Sequence, residues 1–171
     1  HDVVLVEMLM YLHNSSVQRI FDELKSTSRS VKNIECHFLI PSVPPETFRT
    51  GSNLGNSLLS DIACYPLSLL ALAGYDLFNL AIIADDIGAR RDSTYCINGN
   101  DQQTGIHIRV GLNGEYRNRV KLVFDDARQV SCEPFFYGRE GHREFVKVTS
   151  SETLSEKIYE DNAYERMFLR K

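Results

Sequence analysis

The strongest constraint on this chain is a strict two-residue alternation in its second half. From Thr104 to Leu112, Ile106, Ile108, Val110 and Leu112 share one side, and from Arg119 to Phe124 the same holds for Val120, Leu122 and Phe124. The intervening positions carry His107, Arg109, Arg119 and Lys121. Side chains on a strand alternate between faces, so these segments must be strands with one buried and one polar face. Asn113-Gly114 between them reads as a hairpin turn. A two-residue loop would set Val110 against Arg117, apolar against charged. An odd loop, Asn113-Gly114-Glu115 with a glycine bulge, pairs Val110 with Asn118 and Ile108 with Val120. It also sets Arg109 opposite Arg119 and His107 opposite Lys121. Like charges in facing positions are unfavourable, so this face requires solvent, a partner bearing carboxylates, or an adjacent strand with acids.

The first half supplies the cover for the apolar face. Val3 to Leu12 is apolar on both sides and reads as a central entry strand. A helix follows: Ser15 and Gln18 have capping-box spacing, and Val17, Ile20, Phe21 and Leu24 form its apolar face. Val31 to Ile40 is a half-buried strand, with Ile34, Cys36, Phe38 and Ile40 on one side. Pro41, Pro44 and Pro45 open a loop that runs to about Asn53. Leu54 to Ala73 reads as an apolar helix with a stripe of Leu58, Ile62, Tyr65, Leu69 and Leu72. Pro66 removes the bond to the Ile62 carbonyl and should kink or break it, and Gly74 is the expected C-cap. Leu77 to Ala84, Gln129 to Glu133 and Glu144 to Thr149 read as further strands, and Ile158 to Leu169 as a closing helix. Helices early and strands late define an α+β domain: a mainly antiparallel open sheet with helices packed on one face.

The 171 residues suffice for one compact domain, and a net charge of −4 argues against a general nucleic-acid binder. No apolar run approaches the roughly 20 residues that span a bilayer. The opening residues lack the features of a signal peptide. Cys36, Cys64, Cys96 and Cys132 are scattered singly, which suits free thiols in a reducing, cytoplasmic compartment better than disulfides or a metal site. The chain opens inside a strand-like run and closes on an unfinished helical pattern, so the expectation is one domain over 1–171 taken from a longer protein. Neither GxGxxG nor GxxxxGK[ST] occurs, so no dinucleotide site is expected within the chain. His13, His37, His107 and His142 have no ligand spacing, so a metal is not expected either.

The segment Leu54-Gly55-Asn56-Ser57-Leu58-Leu59-Ser60-Asp61-Ile62-Ala63-Cys64-Tyr65-Pro66 carries the chemistry. Asp61 and Tyr65, four apart on a helix, share a face. A carboxylate beside a phenol positions a substrate hydroxyl and exchanges a proton with it. Spacing alone favours Tyr65 as core, since it lies on the apolar stripe, and Asp61 as a polar helix residue. The segment resembles the G-G-G-A-L-L-D-I-G-x-Y-P element of the glucose–fructose oxidoreductase, inositol dehydrogenase and rhizopine-catabolism (Gfo/Idh/MocA) family, dihydrodiol and xylose dehydrogenase branch. Met10 to Asn14 resembles M-Y-R-F-H-P, Thr47-Phe48-Arg49 resembles D-F-R, and Asp161 to Phe168 resembles E-N-A-F-E-R-M-F, all in order.

The resemblance implies the substrate-side half of a two-domain oxidoreductase, with a dihydrodipicolinate-reductase-like C-terminal fold, the Rossmann half lying outside this chain. It implies NAD or NADP bound by that other half and a sugar, cyclitol or diol substrate between the two. Tyr65 becomes the proton donor or acceptor and Asp61 its catalytic companion; Arg49, Tyr11 and His13 become substrate contacts. The open sheet face is expected to form a homo-oligomer, and the chain alone is expected to be inactive. The pattern departs at Asn56, Ser57 and Ala63, which replace glycines, and at Leu12, which replaces an arginine. Those changes leave a second reading: a non-catalytic interaction or dimerisation domain derived from the family.

Overall fold

The computed structural model describes residues 9–25, 30–41, 61–84, 94–101, 103–112, 115–163 and 165. Among the described residues two helices, α1 (Ser15–Lys25) and α2 (Cys64–Ala73), accompany eight strands. These are β1 (Val31–Ile40), β2 (Leu80–Ala84), β3 (Thr94–Asp101), β4 (Thr104–Leu112), β5 (Arg117–Phe124), β6 (Gln129–Glu133), β7 (Gly141–Val148) and β8 (Thr153–Glu160). They form one sheet in the order β2-β3-β4-β1-β5-β6-β7-β8. Only β1 and β4 run parallel; every other neighbouring pair is antiparallel. The architecture is the expected α+β open sheet.

The apolar alternation sets the register. Ile34 and Cys36 of β1, Ile106, Ile108, Val110 and Leu112 of β4, and Val120, Leu122 and Phe124 of β5 are all buried in one cluster with Val17, Ile20, Leu69 and Leu70 of the helices. Each such side chain contributes about 1.5–3 kcal/mol on burial. A one-residue slip would expose the whole set, at a cost far above what exposed charges return.

Strand order departs from the expected hairpin. β4 and β5 do not pair; β1 lies between them. The rows nevertheless match, with Phe38 between Val110 and Asn118 and Cys36 between Ile108 and Val120. On the open face, Glu35 stands between His107 and Lys121, and His37 between Arg109 and Arg119. The inserted strand thus supplies the acid and the neutral imidazole that the two cationic strands lacked. Burial, followed by the charge of Arg117, with Arg109 and Arg119 adding to it, holds the His37 pKa below the ordinary histidine value, although Glu35 pulls the other way.

Other expectations also change. Met10–His13 is a 3₁₀ turn rather than the end of a strand, while residues 1–8 lie outside the described part. β2 is an edge strand, not a buried one: Ile82 and Ile83 are more than half exposed because only β3 flanks it. Ile158 belongs to β8, which runs to Glu160; of the expected closing helix, Ala163 and Glu165 are helical, and residues 164 and 166–169 lie outside the described part. Only Ile158 and Glu160 of that edge strand are buried, so it shows no period-two apolar signal. The stretch 94–101, β3, went unread as a strand because its apolar residues are sparse.

The helical path breaks at Ala63, so Pro66 falls in the first turn of α2, where its missing N–H costs little. Gly74 ends α2 in the left-handed region at φ 92°. Residues 54–60 of the expected helix lie outside the described part.

None of the four cysteines forms a disulfide. Cys36 and Cys132 are buried in the core, and burial pushes each thiol up to about 12, with a Ser16 hydrogen bond partly opposing it at Cys132. A thiol reagent at pH 8 is expected to label Cys64 and Cys96 in the native protein, and Cys36 and Cys132 only after unfolding. Rapid labelling of all four would mean that the sheet core opens readily.

Candidate functional site

The site is built around Tyr65, the second residue of α2. Two hydroxyls hold its backbone. The Tyr11 hydroxyl donates to the Tyr65 carbonyl at 3.1 Å, the Ser68 hydroxyl lies 2.7 Å from the same oxygen, and the two hydroxyls are 2.8 Å apart. Tyr11 comes from the 3₁₀ turn and Ser68 from the next turn of α2, so this triangle ties the chain entry to the helix start.

Aromatic rings fix the Tyr65 side chain. Phe38 meets it edge-on with centroids 5.2 Å apart, Tyr11 lies at 5.7 Å, and Phe136 at 6.4 Å, again edge-on. Phe136 also stacks on Phe38 at 5.6 Å and meets Tyr11 at 5.3 Å. Such pairs contribute about 0.5–1.5 kcal/mol each beyond area burial. The Tyr65 hydroxyl reaches the Met10 sulfur at 3.5 Å. Tyr65 and Phe38 remain partly exposed, while Phe136 and Tyr11 are enclosed. The result is a partly exposed tyrosine held on an aromatic ledge.

Of the residues expected at the site, Tyr65 and Tyr11 come together. Tyr11 has no exposed surface, and its phenol is pushed well above the ordinary tyrosine range by burial, only partly opposed by the Ser68 hydrogen bond. It stays neutral and acts as a brace. Asp61 lies one helical turn before Tyr65 and is partly exposed; its carbonyl receives the Cys64 thiol at 3.3 Å. His13, also partly exposed, closes the 3₁₀ turn. Arg49 lies outside the described residues. Among the described residues no group of His, Cys, Asp or Glu is placed to hold a metal. A groove of about 650 Å³ between α1 and the β7–β8 edge, lined by Arg19, Glu23, Phe145, Lys147, Leu154 and Glu156 among others, shares no residue with the Tyr65 cluster.

Sequence reasoning missed Phe136 and its support. Phe135 and Phe136 follow β6 in a non-repetitive segment and carry no periodic signal. The buried Asn118 of β5 accepts hydrogen bonds from both their backbone N–H groups, at 3.1 and 2.6 Å. An asparagine on the apolar side of a regular strand is the one sign that was available in the sequence.

No protein-family model and no curated protein matches the sequence. Solved structures do match in fold. KijD10, a 3-ketoreductase from Actinomadura kijaniata, in complex with TDP-benzene and NADP in an open conformation, superimposes with a TM-score of 0.74 at 14% identity. That match covers 97% of this chain and 51% of KijD10. A Y186F mutant of KijD10 with the same ligands gives a TM-score of 0.75 at 16% identity, with coverage of 97% and 52%. The chain therefore has the fold of about half of an NADP-binding ketoreductase, and it spans about half the length of the structures it matches.

Proposed function

We propose that this chain is the substrate-side domain of an NAD(P)-dependent oxidoreductase acting on a sugar, cyclitol or diol, and that Tyr65 is its acid–base residue. The observation that carries this reading is the braced, partly exposed Tyr65 in a domain folded like half of KijD10. The sequence contains no GxGxxG turn, which supports placing the dinucleotide in the other half. The cofactor is assigned to a preceding Rossmann half. When bound there, the cofactor would supply or receive a hydride.

This chain's residues handle the proton. The Tyr65 hydroxyl gives a proton to a carbonyl oxygen during reduction and takes one from a hydroxyl during oxidation. Tyr11 and Ser68 hold the backbone so that the phenol does not swing. Asp61, His13 and Arg49 contact substrate hydroxyls. The open sheet face, where Arg109, His37 and Arg119 form one row, meets a second copy in a homodimer. Among the described residues no helix is long and apolar enough to cross a membrane, and cysteines without disulfides favour the cytoplasm.

One observation favours the non-catalytic reading: the expected substrate contact Tyr11 is entirely buried. The two readings separate in the full-length protein. With NADPH and keto-sugar nucleotides, or NADP⁺ with inositols and vicinal diols, the enzyme reading expects nicotinamide absorbance changes that depend on substrate. Absence of turnover across that set, in protein that binds NADPH, would favour the scaffold. Sedimentation showing only monomers would remove the dimer.

A further inference from the structure

We propose that Asn118 is a positioning residue for the Tyr65 phenol, acting through the Phe135–Phe136 backbone and the Phe136 ring. The proposal rests on the catalytic reading of Tyr65. Asn118 sits on the helix-facing side of β5, beside Phe38 in register, and is fully buried. An asparagine here costs several kcal/mol to bury unless its amide is satisfied. It is satisfied in one particular way. Its side-chain oxygen accepts from Phe135 N at 3.1 Å and Phe136 N at 2.6 Å, its carbonyl also accepts from Phe135 N at 3.0 Å, and its amide donates to the Tyr116 hydroxyl at 3.1 Å.

The consequence reaches Tyr65 through rings rather than through bonds. Fixing two successive N–H groups fixes where the Phe136 ring leaves the backbone. That ring stacks on Phe38 and stands edge-on to both Tyr11 and Tyr65. The segment after Phe136 is gripped separately. Asn14 and Arg143 donate to the Tyr137 carbonyl at 2.7 and 3.1 Å, Arg143 donates to the Arg139 carbonyl at 2.7 Å, and Ala163 N donates to the Gly138 carbonyl at 2.7 Å. Those bonds hold residues 137–139 in place whatever happens at Asn118. Phe135 N keeps its bond to the Asn118 backbone carbonyl, but the hydrogen bond to Phe136 N comes from the Asn118 side chain, so its loss should move the Phe136 ring without unseating the segment.

The test uses the full chain with ¹³C-labelled tyrosine, the Tyr65 ring signals being assigned by Tyr65→Phe. Asn118→Leu, close in volume but without an acceptor, is expected to shift the Tyr65 ring signals towards unstructured values as the Phe136 ring current is lost. Asn118→Asp, which keeps an acceptor in the same place, is expected to keep them. If N118L fails to fold, Asn118→Ser carries the same expectation, because its hydroxyl is too short to reach both N–H groups. On whichever keto-sugar nucleotide supports NADPH oxidation, N118L should lower kcat by about 10²-fold, as for a misplacement near 1 Å, with KM little changed. A lowered Tm with unmoved Tyr65 signals would overturn the proposal and leave Asn118 a stability residue. Moved signals together with full turnover by Tyr65→Phe would instead sustain the positioning role and remove the catalytic reading.

Discussion

Replacing Tyr65 with phenylalanine is expected to lower turnover of the full-length protein by about 10²- to 10⁴-fold, the range that a positioned acid or base contributes. Little else should change. Phenylalanine retains the ring contacts to Phe38, Tyr11 and Phe136, and the backbone carbonyl still receives Tyr11 and Ser68. The hydroxyl is lost, and with it the 3.5 Å approach to the Met10 sulfur. Thioether sulfur is a weak acceptor, so the stability change should stay within about 1 kcal/mol. The loss should fall on kcat, because proton transfer matters in the transition state rather than in binding. Assaying Y65F under conditions where the wild type turns over, with Tm as a control for folding, checks both halves. Unchanged turnover would end the catalytic assignment and leave the aromatic ledge as core.

The sequence revealed this site only partly, for physical reasons. Tyr65 lies on a helical stripe and in a segment with a recognisable pattern, so both period and resemblance point to it. Phe136 lies outside any regular element, where position along the chain says nothing about direction in space. Strand order suffered similarly. Alternation in β4 and β5 determines which face is buried, yet it is silent about what lies between them. The row that joins Val110 to Asn118 is the same whether the two strands touch or Phe38 stands between. The one hint was energetic: Arg109 facing Arg119 and His107 facing Lys121 asks for solvent, a carboxylate-bearing partner or an adjacent acidic strand, and β1, lying between them, brings Glu35 and His37. Edge strands were legible least. β8 buries only two side chains, and one of them is the charged Glu160.

That buried carboxylate yields the second large effect. The first N–H groups of α1 lack intrahelical partners, as at any helix start. The expected capping box, with Ser15 as cap, is not what satisfies them. Glu160, from the far end of the chain, accepts Ser15 N at 3.0 Å, Ser16 N at 2.6 Å and the Ser15 hydroxyl at 2.9 Å. It thereby fastens the last strand to the first helix. Hydrogen bonds to a charged acceptor contribute about 1.5–3 kcal/mol, and a negative charge at a partly buried helix N-terminus up to about 2 kcal/mol more. Glu160→Ala should therefore cost roughly 3–4 kcal/mol. At about 2–4 °C per kcal/mol for a domain of this size, Tm should fall by roughly 6–16 °C. Glu160→Gln keeps an acceptor and loses the charge, so about 1–2 kcal/mol is expected.

The pH dependence has a definite sign. Burial raises the Glu160 pKa, but the hydrogen bonds from Ser16 and Ser15 outweigh it and hold the carboxyl below its ordinary value. A depressed folded-state pKa contributes stability above the unfolded value, about 4.3, and loses it as the pH falls through the folded value. The gap in Tm between wild type and E160Q should thus be full at pH 7 and close as the solution is acidified below about pH 4. A gap of the same size at pH 7 and pH 3 would show that the carboxylate's charge does not hold the helix.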